Sequence, residues 1–203
     1  MSGYPLVLDG KQIAALIVGG GRVAERKARS LLASGASVRV VAPACTAALH
    51  ALAASEERLT LVERGYVSGD VGDALLVIAA TDDADVNQCV ARDAHALGRL
   101  VNVADDPAAG NCMTVASHRS GDLLIAVSAG GVPAAAARIR DCLAERFDER
   151  YAAAVGALQG LRRTLLARGE REAWRRALDA LVPEHFCDAV ERGAFPDEVA
   201  RWH

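Results

Sequence analysis

The 203 residues carry a formal net charge of -3 at neutral pH, with 24% charged and 52% hydrophobic side chains. That balance belongs to a globular chain able to bury a real core, and it excludes the bulk basic surface that nucleic-acid binding requires. No apolar run reaches the roughly 18 residues that span a bilayer, and the N-terminus shows no leader pattern, so a cytoplasmic protein with neither membrane nor nucleic-acid partner is expected.

In chain order, the first signal is the apolar run Ala15-Leu16-Ile17-Val18, which breaks into Gly19-Gly20-Gly21 and resumes at helical spacing through Val23, Ala24, Ala28, Leu31 and Leu32. Gly19, Gly21 and Ala24 hold the small-residue positions of a G-x-G-x-x-G/A fingerprint. There the turn must be tight, the backbone must approach a pyrophosphate and the helix must pack closely on its strand. A helix starting near Gly21 would point free N–H groups at phosphates. Ser34-Gly35-Ala36 closes that helix and Val38–Val41 reads as a second strand, which completes a βαβ unit.

A helix around residues 46–54 leads to a strand at Leu59–Val62, and the run Ala74–Ala79 reads as a strand buried on both faces. Thr81-Asp82-Asp83 can cap a helix from about Asp85 to Leu97, before a short strand at Leu100–Val103. Strands alternating with helices indicate an α/β fold with a Rossmann-like parallel sheet. Near residue 110 the pattern changes: two short strands, Cys112–Ser117 and Leu123–Val127, flank a polar turn at residues 118–122 and form a hairpin. Pro133, after Gly130-Gly131-Val132, suits the first turn of a helix running to Phe147. From Tyr151 onward the chain reads as helices broken near Gly169 and Pro183. Three parts follow: residues 1–110 as a dinucleotide-binding domain, 111–150 as a small strand-helix segment, and 151–203 as a helical C-terminal region.

The end of the second strand, where NAD-binding folds usually place an acid for the adenosine ribose, holds Val41-Ala42-Pro43-Ala44. Backbone groups at Pro43 and Ala44 can take that part. Arg39 lies within the strand as a solvent-side residue, so no arginine pair awaits a 2′-phosphate and NAD is preferred over NADP. Asp105 and Asp106 follow the last sheet strand, at the edge where ligands bind in open α/β sheets. They read either as a turn ahead of Pro107 or as a carboxylate pair in which mutual repulsion prepares a general base or a metal-contacting group. The five scattered cysteines contain no C-x-x-C pair and the five histidines no metal-ligand spacing, so no resident metal is expected.

Five segments in order closely resemble the precorrin-2 dehydrogenase module of siroheme synthases: Val18–Ala28, Ala79–Asp83, Val86-Asn87, Asn102–Pro107 and Ala126–Gly131. The resemblance covers roughly residues 4–147. It implies NAD-dependent oxidation of precorrin-2 to sirohydrochlorin, accompanied in some members by insertion of ferrous iron as a second substrate. It also implies a homodimer whose interface comes from the segment 111–150. The family's essential aspartate falls on Asp105, as general base during dehydrogenation and as proton acceptor or metal contact during chelation, with Asp106 as an accessory or turn residue. Its NAD contacts fall on Arg22 and Val23 and on Pro43 and Ala44, mostly through backbone atoms. Some bifunctional members have a second serine after the position of Ser128, where this chain has Ala129. The methyltransferase domain of the fused enzymes is missing, so methylated precorrin-2 is expected from another protein.

The implied substrate carries eight carboxylates, and a negatively charged protein must hold it with local groups. Arg119 and Arg138, with Ser128 and the backbone at Gly130 and Gly131, are the candidates, beside Arg22, Arg26 and Arg140. Each arginine also reads as an ordinary solvated charge, and His118 as a hairpin-turn residue. A different class of reading is a NAD-responsive regulatory module without turnover; a third is a chelatase that has lost redox function.

Overall fold

In the computed structural model, which describes residues 3–202, the run Ala14–Val18 forms strand β1 and Ala15 through Val18 are buried. Helix α1 (Arg22–Ala33) follows the glycine turn and buries Ala24, Ala28 and Leu32, one stripe at four-residue spacing. Then come β2 (Ser37–Ala42), α2 (Ala47–Ser55), β3 (Leu59–Glu63), β4 (Leu76–Ala79), α3 (Ala84–Ala96) and β5 (Leu100–Val103). Side chains cap two of these helices: the Thr46 hydroxyl accepts from the Leu49 N–H on α2, and the Asp83 carboxylate accepts from the N–H groups of Asp85 and Val86 on α3.

The five strands are parallel in the order β3-β2-β1-β4-β5, so the expected doubly wound sheet is present. One face packs Ile13, Ala15, Ile17, Val38 and Val40 against α1 and α2; the other packs Leu16, Val18, Val77 and Ala79 against Val90, Ala91 and Ala94 of α3. Register makes the carboxyl ends level: Val18 lies opposite Val41 on one side and Ala79 on the other, and Ala79 lies opposite Val103. The turns after β1, β2, β4 and β5 therefore open on one edge.

Beyond β5 the chain doubles back. The N–H groups of Asn111 and Cys112 donate to the Val101 carbonyl at 3.0 and 3.2 Å, and Val101 N–H donates to Asn111 Oδ1 at 2.7 Å. These bonds cover the sheet edge with loop. A Cβ at Gly110 would stand 2.7 Å from the Val101 carbonyl oxygen, so the return requires glycine there.

Arg39 differs from expectation. It is half-buried, and its guanidinium donates to the Asp70 carbonyl, so it pins the β3–β4 connection instead of lying free in solvent. The buried Asp70 carboxylate accepts two bonds from Arg64, at 2.7 and 2.5 Å, and one from Val67 N–H at 2.9 Å. The Arg64 guanidinium holds the Asp70 carboxyl below the usual carboxylate range, against the opposing effect of burial.

The chain divides into two compact units, residues 1–114 and 115–203; the expected segments 111–150 and 151–203 fall almost wholly within the second. That unit opens with an antiparallel pair, β6 (Ala116–Ser120) and β7 (Leu123–Val127). The expected first strand, Cys112–Ser117, is thus displaced toward the C-terminus, and the turn shrinks to Gly121-Asp122, with Gly121 at φ +56°. The polar residues His118 to Ser120, read as turn, belong to β6 because pairing with the apolar β7 decides their conformation. Helices α4 (Pro133–Arg146), α5 (Glu149–Ala167), α6 (Arg171–Leu181), α7 (Phe186–Glu191) and α8 (Phe195–Ala200) follow. Tyr151, Ala154, Leu161, Leu165, Ala177, Leu181, Phe195 and Val199 form their core.

Candidate active site

The β1–α1 turn is built from three glycines with different duties. Gly19 has φ +124°, and a Cβ there would lie 2.3 Å from the Ala80 carbonyl oxygen. Its N–H donates to the Val41 carbonyl at 2.9 Å, which continues the β1–β2 ladder into the turn. A Cβ at Gly20 would lie 2.0 Å from the Ala44 carbonyl oxygen, and the Gly20 carbonyl accepts from Thr46 N–H at 3.0 Å. The exposed Pro43-Ala44 loop after β2 is thereby fixed beside the glycine turn. At Gly21 a Cβ would meet nothing within 4 Å. That space lies over the start of α1, where Gly21 caps the helix with no side chain.

The first bond of α1 runs from Glu25 N–H to the Gly21 carbonyl at 3.0 Å, so the N–H groups of Arg22, Val23 and Ala24 have no partner within the helix. Ala24 is fully buried, and its small side chain lets α1 lie close to β1. An open backbone cradle at a helix N-terminus fits a diphosphate, which the dipole also favours. Gly19, Gly21, Arg22, Val23, Ala24, Pro43 and Ala44 are therefore brought together around this turn. Further along α1, burial and the neighbouring Arg26 push the Lys27 ammonium below its ordinary range, and its Nζ donates to the Thr114 hydroxyl.

Asp105 stands exposed just past β5, on the same edge. Its carboxylate accepts from Asn87 Nδ2 at 3.2 and 3.4 Å, and it joins no ion pair among the described residues. Asp106 is tied down locally by Gln88 Nε2 and the Ala108 N–H, both at 3.1 Å. One acid is therefore left presented at the edge while the other shapes the turn.

Asn87 is the functional candidate to which sequence reading gave no role. It sits on α3 one residue before Gln88, and it is 1% exposed. The legible signal was a polar residue on the apolar stripe formed by Val90, Ala91 and Ala94.

The substrate-side candidates lie in the second unit. Arg119 is exposed on β6 and Arg138 on α4; Ser128, Gly130 and Gly131 are exposed in the loop between β7 and α4, with φ +57° and +90° at the two glycines. Neither arginine joins an ion pair among the described residues, whereas Arg140 is engaged by Asp141 at 2.6 Å. His118 Nε2 is bonded to the Phe147 carbonyl at 2.8 Å, which gives it a structural employment within that unit. Among the described residues no three His, Cys, Asp or Glu side chains gather as a metal-holding group, and no helix is long and apolar enough to cross a membrane.

Comparison with known proteins gives the same direction. The chain is 39% identical to the siroheme synthase of Chromobacterium violaceum over 202 residues, covering 98% of this chain and 42% of that protein. It is 41% identical to the siroheme synthase of Azotobacter vinelandii over 199 residues, covering 98% of this chain and 39% of that protein. It thus spans about two fifths of the length of these relatives. A solved structure described as SirC, precorrin-2 dehydrogenase, superposes with a TM-score of 0.76 at 26% identity, covering 98% of this chain and 100% of that one. The resemblance read from the motifs thus extends along nearly the whole chain. The family model NAD_binding_7, described as "Putative NAD(P)-binding", matches residues 6–116, the stretch that contains the glycine cradle and Asp105, and the chain belongs to that NAD(P)-binding family.

Proposed function

We propose that this chain oxidises precorrin-2 to sirohydrochlorin with NAD as hydride acceptor, and that Asp105 takes the proton released from the macrocycle. The observation that carries this reading is the placement of a carboxylate with no ion-pair partner among the described residues on the same sheet edge as an open glycine cradle. NAD, when bound, supplies the two-electron sink. The chain's own part is orientation and proton handling: the N–H groups of Arg22, Val23 and Ala24 hold the diphosphate, and the Pro43-Ala44 backbone borders the adenosine end. Absence of a ribose-binding acid after β2 is compatible with NAD because backbone groups are available there. Hydride and proton both leave the substrate, so the balance is one NADH and one proton for each sirohydrochlorin formed.

Arg119 and Arg138, with Ser128 and the Gly130-Gly131 backbone, are proposed to hold the substrate's carboxylates. Ferrous iron, where it is inserted afterwards, is a second substrate whose entry displaces ring protons, and Asp105 is the acceptor available to them. The active form is proposed to be a homodimer joined through residues 111–150, with 151–203 as a helical domain. A reducing cytoplasm suits five cysteines that form no disulfide among the described residues.

Replacing Asp105 tests the reading. Asp105→Ala is expected to lower NADH formation from precorrin-2 by about 10²- to 10⁴-fold, the usual worth of a general base, with NAD affinity measured by calorimetry unchanged. Undiminished turnover would remove Asp105 from the reaction.

A further inference from the structure

Asn87 is a buried amide whose hydrogen-bonding capacity is fully spent. Its Oδ1 accepts from the Thr81 N–H at 3.1 Å and from the Thr81 hydroxyl at 2.8 Å, while Nδ2 donates to the Thr81 carbonyl at 3.0 Å and to Asp105 at 3.2 and 3.4 Å. An amide offers two donors and two acceptor sites, and all four are used. The network also fixes which way the amide faces. Turned over, it would set Nδ2 against the Thr81 N–H and Oδ1 against both the Thr81 carbonyl and the Asp105 carboxylate. Thr81 is itself held, since its hydroxyl oxygen accepts from the Asp83 N–H at 3.2 Å where α3 is capped. A rigid chain therefore runs from the end of β4, through the first turn of α3, to the carboxylate beyond β5.

A buried amide on an otherwise apolar helix face is not required for packing. Its bonds to Thr81 would satisfy a local turn, but the bond to Asp105 reaches 18 residues along the chain to an exposed side chain. An exposed carboxylate would otherwise sample several rotamers. Held from below by one N–H, it presents its free lone pairs outward, and no cation competes for them among the described residues.

We propose that Asn87, locked by Thr81, is a positioning residue that orients Asp105 as proton acceptor. This rests on the reading that Asp105 accepts the substrate's proton. Two other acids belong to this corner. Asp106 is occupied by Gln88 and Ala108, and Asp83 by the N–H groups that it caps; neither carboxylate bonds to the Asn87 side chain.

Two substitutions in the full chain test it, each assayed anaerobically with precorrin-2 and NAD beside Asp105→Ala. Asn87→Leu removes the donor but keeps bulk; kcat is expected to fall by about ten- to a hundredfold, the range seen when a supporting hydrogen bond to a functional group is lost, while KM and NAD affinity change little. Asn87→Asp keeps the bonds from Thr81 to one oxygen and sets a second carboxylate against Asp105. The pair then holds a shared proton to higher pH, so the acidic limb of the kcat profile is expected to move up by about 1–2 pH units. A purely structural residue would lower the thermal midpoint or the yield of folded enzyme in Asn87→Leu, not kcat alone at unchanged KM. If Asp105→Ala is inactive while both Asn87 variants keep wild-type kcat and pH profile, the positioning role is overturned and the Asp105 reading stands. Wild-type turnover in Asp105→Ala overturns both.

Discussion

Gly19, Gly20 and Gly21 look interchangeable in the sequence, yet space distinguishes them. Gly19 combines a positive φ with a Cβ position 2.3 Å from a carbonyl oxygen, so any side chain there displaces backbone. Gly19→Ala should therefore destabilise the first unit by about 1–3 kcal/mol, the ordinary range for backbone strain, read as a lowered thermal midpoint. Gly21 has room, so Gly21→Asp should fold with an unchanged midpoint. Its carboxylate would stand where the diphosphate belongs, and NAD affinity is expected to fall at least about a hundredfold through like-charge repulsion. Calorimetric binding and melting together check both; a Gly21→Asp variant that still binds NAD normally would dismiss the cradle. The fingerprint was legible because close approach of backbone admits only small residues. The duty of Asn87 was not, because a single asparagine in an apolar stripe does not reveal a partner 18 positions away.

At the level of elements, the parallel sheet could be read from the sequence because each core strand is a short apolar run and each intervening helix has its own start signal. Thr46 and Asp83 cap as their residue types require. The hairpin was misplaced by a few residues because its first strand is polar and draws its conformation from its neighbour. That hairpin and α4 leave apolar surface open: Val115 is 46%, Val132 55% and Ile139 48% exposed. That exposure supports the segment's proposed use in joining two copies. On that proposal the wild-type chain should sediment as two copies and Ile139→Glu as one, with helical content intact. An unchanged dimer would place the interface elsewhere.

For the molecule as a whole, the first unit contains the cradle, the presented carboxylate and the amide that orients it, all within residues 1–114. This follows from topology: level carboxyl ends of β1, β2, β4 and β5 gather turns that are far apart in sequence. The second unit carries the arginines and the Gly130-Gly131 loop proposed for the substrate's carboxylates. Sequence motifs pointed to both sets, but periodicity alone carries no information on how a flexible arginine is employed; Arg39, read as a solvent-side residue, is half-buried and holds the Asp70 carbonyl. Turnover by the intact chain is the most direct test. Anaerobic incubation with precorrin-2 and NAD, followed in the ultraviolet and visible, should show NADH and sirohydrochlorin appearing together, one for one. NAD binding without any NADH formation would contradict it and leave the chain a dinucleotide-binding module.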